Sequence, residues 1–104
     1  MDADRIFAAL ASAPRRRMLA ELAAGAATTT ELARRFAVST PAASRHLSVL
    51  ENAGLVASRR EGQRVLYALV RDTLLEALSA LAADLASGMR PAAAGRAKPQ
   101  REAL

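Results

Sequence analysis

Two helix starts lie close together in the middle of the chain and leave room for only one short helix and a tight turn between them. Thr28, with a glutamate three residues later, forms a capping-box pattern that predicts a helix over residues 29–37. Ser39 followed by Pro41 marks the next helix start, because serine caps well and proline is tolerated in a first turn. The Asn-Ala-Gly segment at 52–54 ends that helix. We therefore expect a helix-turn-helix unit at the centre of the fold.

Further helices are predicted on both sides of this unit. Apolar residues at helical spacing predict a short first helix over residues 3–12. Ser12 caps a second helix, which Gly25 ends. Near the other end of the chain, Asp72 opens a last helix that continues to about Ser87 and carries a wide leucine stripe.

Two short runs rich in valine, leucine and tyrosine precede the last helix. They cover residues 55–60 and 64–70, and the connector between them has Gly62 at its centre. This pattern predicts a β-hairpin with a three-residue connector. The predicted fold class is mainly α with a small β-hairpin, in the order of a winged helix-turn-helix: four helices, two strands and a fifth helix. We expect residues 1–89 to form this domain and residues 90–104 to form a basic, disordered tail.

Charge and side-chain size favour DNA as the partner of the central unit. The net charge is +5, with 15 lysine and arginine residues. A helix enters the major groove when its exposed face is small and polar, and an arginine-tipped hairpin beside it meets phosphates or the minor groove. The predicted DNA-contacting residues are Ser39, Thr40, Pro41, Ala42, Ser44, Arg45, His46, Ser48, Arg59, Arg60 and Arg64. This set predicts a sequence-specific transcriptional regulator that binds double-stranded DNA.

A second function is compatible with the same surface. Some winged helices bind proteins instead of DNA, and arginine-rich surfaces also suit an acidic protein. A protein-interaction module of this kind would show no sequence preference on DNA.

The residue composition excludes several classes of site. The chain has no cysteine and one histidine, His46, so disulfides, thiolate metal sites, zinc fingers and cysteine nucleophiles are ruled out. His46 has neither a metal-ligand partner at suitable spacing nor a nucleophile to activate. We expect it to contact DNA or to form a hydrogen bond within the helix-turn-helix. The prediction is therefore no enzyme, no metal site and no cofactor.

The sequence also carries no sign of a membrane or an export route. The acidic N-terminus leads to no signal-peptide pattern, and no uninterrupted apolar stretch of about 18 residues occurs. We expect a cytoplasmic protein with no membrane partner.

The chain resembles ArsR-type winged helix-turn-helix transcriptional regulators over about residues 5–70. The matching segments are Phe7 to Leu19, Glu31-Leu32-Ala33, Ser44-Arg45-His46-Leu47-Ser48-Val49-Leu50, Ala53-Gly54-Leu55-Val56 and Gly62 to Leu69. The Ser-Arg-His-Leu segment and the Ala-Gly-Leu-Val that follows it are the most specific; they resemble the family's recognition helix and the turn into its wing. Ser12 stands where the family usually has an aspartate, but both residues cap helices.

The resemblance implies a homodimeric repressor whose interface is formed by the first and last helices. Two recognition helices about 34–36 Å apart would read an inverted repeat. The implied interface residues are Ile6, Phe7, Leu10, Leu74, Leu75, Leu78, Leu81 and Leu85. The width of the leucine stripe agrees with this, although the same leucines would also serve to cover the core of a single chain.

Many members of the resembled family sense metals, but the residues for that role are missing. The third helix has no Cys-x-Cys pair, and the last helix offers Asp72, Glu76 and Asp84 without a histidine. Soft and borderline metals prefer nitrogen and sulfur ligands, so we interpret these acids as helix-start and surface charges. The resemblance is to the metal-independent, autorepressor-like branch. A protein partner, an organic effector and concentration alone remain alternatives for release from DNA.

Overall fold

Five helices and three strands make up the part of the chain that the computed structural model describes, residues 2–88. In chain order they are α1 (Ala3–Leu10), α2 (Ala13–Ala24), β1 (Ala27–Thr28), α3 (Thr29–Arg35), α4 (Thr40–Asn52), β2 (Val56–Glu61), β3 (Arg64–Leu69) and α5 (Arg71–Gly88). The predicted helix order and the predicted hairpin are confirmed. The predicted tail, residues 90–104, lies outside the described residues.

The predicted helix caps form as the sequence indicates. Ser12 accepts the Arg15 N–H at the start of α2, and Ser39 accepts the Ala42 N–H at the start of α4. A further cap, Asp2, which the sequence analysis did not single out, starts α1. Each such bond satisfies a backbone donor that the helix leaves open, which is worth about 1 kcal/mol.

The sheet contains one strand more than the sequence predicted. The strands lie in the order β1-β3-β2, and all neighbours are antiparallel. Strand β1 is only two residues long and pairs Thr28 with Leu66 on β3. Its partner lies far along the chain, so local periodicity carried no signal for it. The pairing joins the start of α3 to the hairpin.

The hairpin turn is tighter than predicted. Glu61 pairs with Arg64 as the last rung of the ladder, so the connector is the two residues Gly62 and Gln63 instead of three. Gly62 has φ of 63°, a left-handed conformation that glycine adopts without steric cost. Glu61 therefore belongs to strand β2 and lies directly opposite Arg64 on β3.

A small aliphatic core holds α1 to α4 and the three strands together in the first of two compact units, Met1–Leu74. Helix α4 lies at its centre and packs against α1, α2, α3 and β2. The largest fully buried side chains are Ile6, Met18, Leu32, Leu47, Leu50 and Leu55. Because Leu47 and Leu50 turn one face of α4 inward, the opposite face must point to solvent.

The second unit, Leu75–Leu104, is described only as far as residue 88. This part is the greater length of α5, and four of its leucines are 41–60% exposed: Leu75, Leu78, Leu81 and Leu85. None of the helices among residues 2–88 is long and apolar enough to cross a membrane.

Candidate nucleic-acid interface

A Schellman motif closes α3 and forms the turn into α4. The Val38 N–H donates to the Ala33 carbonyl at 3.0 Å, and the Ala37 N–H donates to the Arg34 carbonyl at 3.3 Å. Ala37 adopts φ of 54°, the left-handed conformation that this motif requires. Because Ser39 then caps α4, the two helices are joined by a short turn of fixed geometry.

A capping box fixes the other end of α3. The Thr28 N–H donates to Glu31 Oε1 at 2.8 Å, and the Glu31 N–H donates to Thr28 Oγ1 at 3.1 Å. The hydrogen bond from the Thr28 backbone is the main reason why the pKa of Glu31 lies below its usual value of 4.5, and the charges of Arg35 and Arg64 lower the pKa of Glu31 further. Glu31 is therefore an anion whose carboxylate is hydrogen-bonded to the backbone at the start of the helix-turn-helix.

Helix α4 presents a narrow polar face opposite its buried one. Of the residues predicted to contact DNA, those exposed on this helix are Thr40, Pro41, Ser44, Arg45 and Ser48, with Ser39 exposed at its cap. Ala42 and His46 are half-buried at the edge of the face. Small side chains surround Arg45, whose own side chain makes no hydrogen bond or ion pair with any residue in the range 2–88. Its guanidinium is therefore available for a base edge or a phosphate.

We call the hairpin formed by β2 and β3 the wing. Its three arginines do not all lie on the same face of the sheet. Cross-strand pairing of Arg59 with Leu66 and of Glu61 with Arg64 puts these residues on one face, because side chains alternate along a strand. Arg60 lies on the other face. The sequence analysis predicted one group of DNA-contacting arginines, but the strand register puts Arg60 on the opposite face from Arg59 and Arg64.

Glu61 holds the two arginines on its face. Its Oε2 accepts from Arg59 Nη2 at 3.1 Å, and its Oε1 lies 3.6 Å from Arg64 Nη2. All three side chains are at least half exposed, so the ion pairs are weak and dissociate readily. Among residues 2–88 Arg60 has no such partner. The wing therefore offers one free guanidinium and two that are partly neutralised.

A hydrogen bond that the sequence did not predict links the wing to α4. The Ser58 hydroxyl donates to Glu51 Oε2 at 2.8 Å, which connects β2 to the last turn of α4. Ser58 shares its sheet face with Arg60, since the two are separated by one residue on the strand. The bond therefore fixes the strand that carries Arg60 relative to the end of α4.

The residues implied as a dimer interface do not all lie at the surface. Ile6 has no exposed area and belongs to the core of its own chain, which leaves its side chain no surface to offer a partner, in contrast to the prediction. It packs inward because the unit has few large apolar residues to fill its centre. Phe7, Leu10 and Leu74 are half-buried, and the four leucines from Leu75 to Leu85 are exposed.

No group of three or more His, Cys, Asp or Glu side chains within residues 2–88 is arranged to hold a metal ion. Asp72, Glu76 and Asp84 are exposed on α5. Asp72 lies in the first turn of that helix, where a negative charge interacts favourably with the helix dipole.

The sequence is similar to known transcriptional regulators. A family described as a helix-turn-helix domain matches residues 10–59. The HTH-type transcriptional regulator Rv2034 of Mycobacterium tuberculosis is 47% identical over 66 residues, which are 64% of this chain and 62% of that protein. The transcriptional repressor SdpR of Bacillus subtilis is 30% identical over 73% of this chain and 84% of its own length. The chain thus spans somewhat less than two thirds of the mycobacterial relative and most of the repressor.

Solved structures agree with these relatives. An ArsR-like transcriptional regulator from Rhodococcus sp. RHA1 is 32% identical with a TM-score of 0.80, over 88% of this chain and 87% of that one. The homodimeric winged helix-turn-helix DNA-binding domain Mb0332 from Mycobacterium bovis is 32% identical with a TM-score of 0.66, over 84% of this chain and 82% of that one. The family match over residues 10–59 covers both helices of the helix-turn-helix and ends within β2.

Proposed function

The chain belongs to the ArsR family of winged helix-turn-helix transcriptional regulators, and within that family we propose that it is a dimeric repressor that reads an inverted-repeat operator with α4. It is a DNA-binding regulator and not an enzyme. The observation that carries the proposal is Arg45, an unpaired guanidinium among small exposed side chains on α4. Such a face lets a helix approach base edges closely. We propose that it acts in the cytoplasm.

Arg45 and Arg60 take different roles in this proposal. An arginine on a recognition helix donates two hydrogen bonds to guanine, which discriminates between sequences. Arg60, unpaired on the wing, meets a phosphate and adds affinity for any duplex. The remaining residues of the α4 face, with Ser39 and His46, position the helix or contact sugar and phosphate.

Footprinting on DNA upstream of the gene tests this proposal. We expect a protected inverted repeat, with two half-sites about one helical turn apart. Arg45→Ala should weaken binding to the operator more than binding to unrelated duplex, whereas Arg60→Ala should weaken both alike. No sequence preference in the wild-type protein would contradict the proposal and favour a protein-binding module. Unchanged affinities in both variants would contradict the assigned surface.

The exposed leucines of α5 support a second copy of the chain as the partner. Leu75, Leu78, Leu81 and Leu85 recur at helical spacing and are 41–60% exposed. Leucines exposed in a row along a helix favour packing against another apolar surface. The relative from Mycobacterium bovis is homodimeric, and an inverted repeat calls for two-fold symmetry. Phe7, Leu10 and Leu74 remain proposed contributors to the same interface.

Analytical ultracentrifugation tests the dimer. The wild-type chain should sediment at twice the 10.9 kDa mass of one chain. Leu78→Glu should give the monomer and lose operator binding, because a charge is then placed in the apolar contact. Ala83→Glu, an exposed position on the other side of α5, is the matched control and should stay dimeric. A monomeric wild-type protein would contradict the proposal.

We also propose that release from DNA requires no metal. The chain has no cysteine and one histidine, so thiolate and multi-histidine sites cannot form within it. Operator affinity should be the same after treatment with EDTA and after addition of zinc. A change in affinity that depends on zinc and reverses with EDTA would contradict this.

A further inference from the structure

The first turn of α5, residues 71–74, lies in the same compact unit as the helix-turn-helix. A side-chain hydrogen bond joins this turn to the end of α2. Arg71 Nη2 donates at 2.8 Å to the carbonyl of Ala23, which is 48 positions earlier in the chain. In the last turn of a helix the carbonyls lack helical partners and the dipole favours a positive charge. Residues 21–24 of α2 include no basic side chain, so Arg71 supplies this charge from a distant element.

Two further contacts attach the same turn to the end of α4. The Val70 N–H, directly before α5, donates to the Leu55 carbonyl at 2.9 Å. Thr73 lies beside Gly54, since a Cβ added to the glycine would lie 3.6 Å from Thr73 Cγ2. Gly54 and Leu55 form the turn that ends α4, and the Leu55 side chain is fully buried. This attachment is therefore part of the core.

The three contacts tie one helical turn to two different elements, α4 and α2. Among the side chains of residues 71–74, only that of Arg71 forms a hydrogen bond or ion pair with another part of residues 2–88. Without this bond the turn would keep its contacts with the end of α4 and would be free to rotate about them. Because the bond is exposed, it adds more to the orientation of the turn than to the stability of the fold.

We propose that Arg71 is a positioning residue that sets the separation of the two α4 helices in the dimer. This inference rests on the proposed dimeric repressor. Leu74, three residues after Arg71, is a proposed interface residue, and a fixed turn gives it a fixed place relative to α4. Two-fold symmetry repeats any displacement in both protomers. A shift of about 1.7 Å in each would therefore change the separation by about 3.4 Å, the rise of one base pair.

Operators with one base pair inserted or deleted between the half-sites test this role. The wild-type protein should prefer the native spacing. Arg71→Met keeps the length of the side chain but removes the donor, and it should reduce that preference about threefold to tenfold, the range expected for the loss of one hydrogen bond. Arg71→Lys keeps a charged donor and should retain most of the preference. Arg17→Met removes an exposed arginine of α2 whose side chain has no such bond within residues 2–88, and it should affect all spacings alike.

A distance measurement in the free dimer tests the same role without DNA. The chain has no cysteine, so Asn52→Cys, at an exposed position in the last turn of α4, carries one spin label per protomer. The distance between the two labels should have a narrow distribution. Adding Arg71→Met should broaden or shift that distribution, whereas adding Arg17→Met should not. Thermal unfolding and sedimentation check that each variant is folded and dimeric.

The outcomes distinguish this inference from the proposed function. An unchanged spacing preference and an unchanged label distance in Arg71→Met, while the wild-type protein protects an inverted repeat, would overturn the inference and leave the proposed function intact. An equal loss of affinity at every spacing would make Arg71 a phosphate contact and would also overturn it. A wild-type protein that protects no inverted repeat would contradict the proposed function and this inference with it. If Arg71→Met does not fold, a spacing preference in Arg71→Lys as weak as that for unrelated spacings would support a stability role and overturn the inference.

Discussion

Ala37 and Gly54 occupy the same position in two successive helix endings. Each is the left-handed residue of a Schellman motif, with φ of 54° for Ala37 after α3 and 77° for Gly54 after α4. The hydrogen bonds match as well: the Leu55 N–H donates to the Leu50 carbonyl at 2.9 Å after α4, as the Val38 N–H does to Ala33 after α3. Glycine adopts this conformation freely, whereas alanine pays a steric cost.

Ala37→Gly should therefore stabilise the protein. The substitution removes the clash between Cβ and the following carbonyl, and we expect a gain of about 1 kcal/mol in the free energy of unfolding, reduced somewhat by the greater entropy of glycine in the unfolded chain. Ala37 is exposed, so no packing is lost. Urea denaturation measures the change.

Gly54→Ala is the reverse experiment. A Cβ at Gly54 would lie 3.6 Å from Thr73 Cγ2, an ordinary contact, so the cost comes from the backbone conformation alone. We expect a loss of about 1 kcal/mol. A loss in Ala37→Gly, or no change in Gly54→Ala, would show that the two turns are not equivalent in energy.

Glu61→Gln should strengthen DNA binding. The carboxylate neutralises Arg59 and Arg64 and repels phosphate, so its removal frees both guanidinium groups. Affinity for operator and unrelated duplex should rise about threefold to tenfold at low salt, since each exposed ion pair is worth roughly 0.2–1 kcal/mol. Fluorescence anisotropy over a salt series measures the affinity and the expected steeper slope.

Glu21→Gln is the matched control for that change. Glu21 forms an exposed ion pair of similar length with Arg35, at 3.2 Å, but away from the wing. The Glu21→Gln substitution changes the net charge by the same amount as Glu61→Gln, but it should raise the affinity for DNA much less. Equal effects of the two substitutions would mean that net charge, and not the wing contact, controls binding.

Local signals in the sequence accounted for the starts of α2, α3 and α4 and for the polar face of α4. The caps at Ser12, Thr28 and Ser39 were correct because a cap depends on residues three positions apart. The face of α4 followed from helical periodicity alone. These two kinds of signal were enough to predict the order of the helices and the polar face of α4.

Contacts between distant residues were missed. Strand β1 exists only through its pairing with β3, and the bond from Ser58 to Glu51 joins two elements. Ile6 was assigned to the dimer interface because the family resemblance implies an interface on the first helix, but the burial of an apolar residue depends on the packing of the whole unit. The role of Glu61 likewise emerges only from the register of the sheet.

Ser58→Ala should weaken operator binding with little loss of stability. The hydroxyl holds β2 to the end of α4 through Glu51, and the bond is exposed, so its loss costs little folding free energy. The wing then moves more freely relative to α4, and specific affinity falls because that geometry must be restored on binding. Ser58→Thr keeps the hydroxyl and should restore affinity. Equal binding by both variants would show that the bond does not position the wing.

Acid stability should depend on Glu31. The pKa of Glu31 is lowered in the folded state, mainly by the Thr28 N–H, so its contribution to stability is complete above the usual value of 4.5 and is lost as the pH falls through the lower, folded-state pKa. Urea unfolding between about pH 3 and pH 7 should show this loss in the wild-type protein. Glu31→Gln keeps an amide acceptor for the capping box but cannot titrate, so its stability should fall less over that range. Glu76→Gln, at an exposed position on α5, should retain the wild-type acid dependence; if it flattened the profile as much as Glu31→Gln, the capping box would not be the source of the effect.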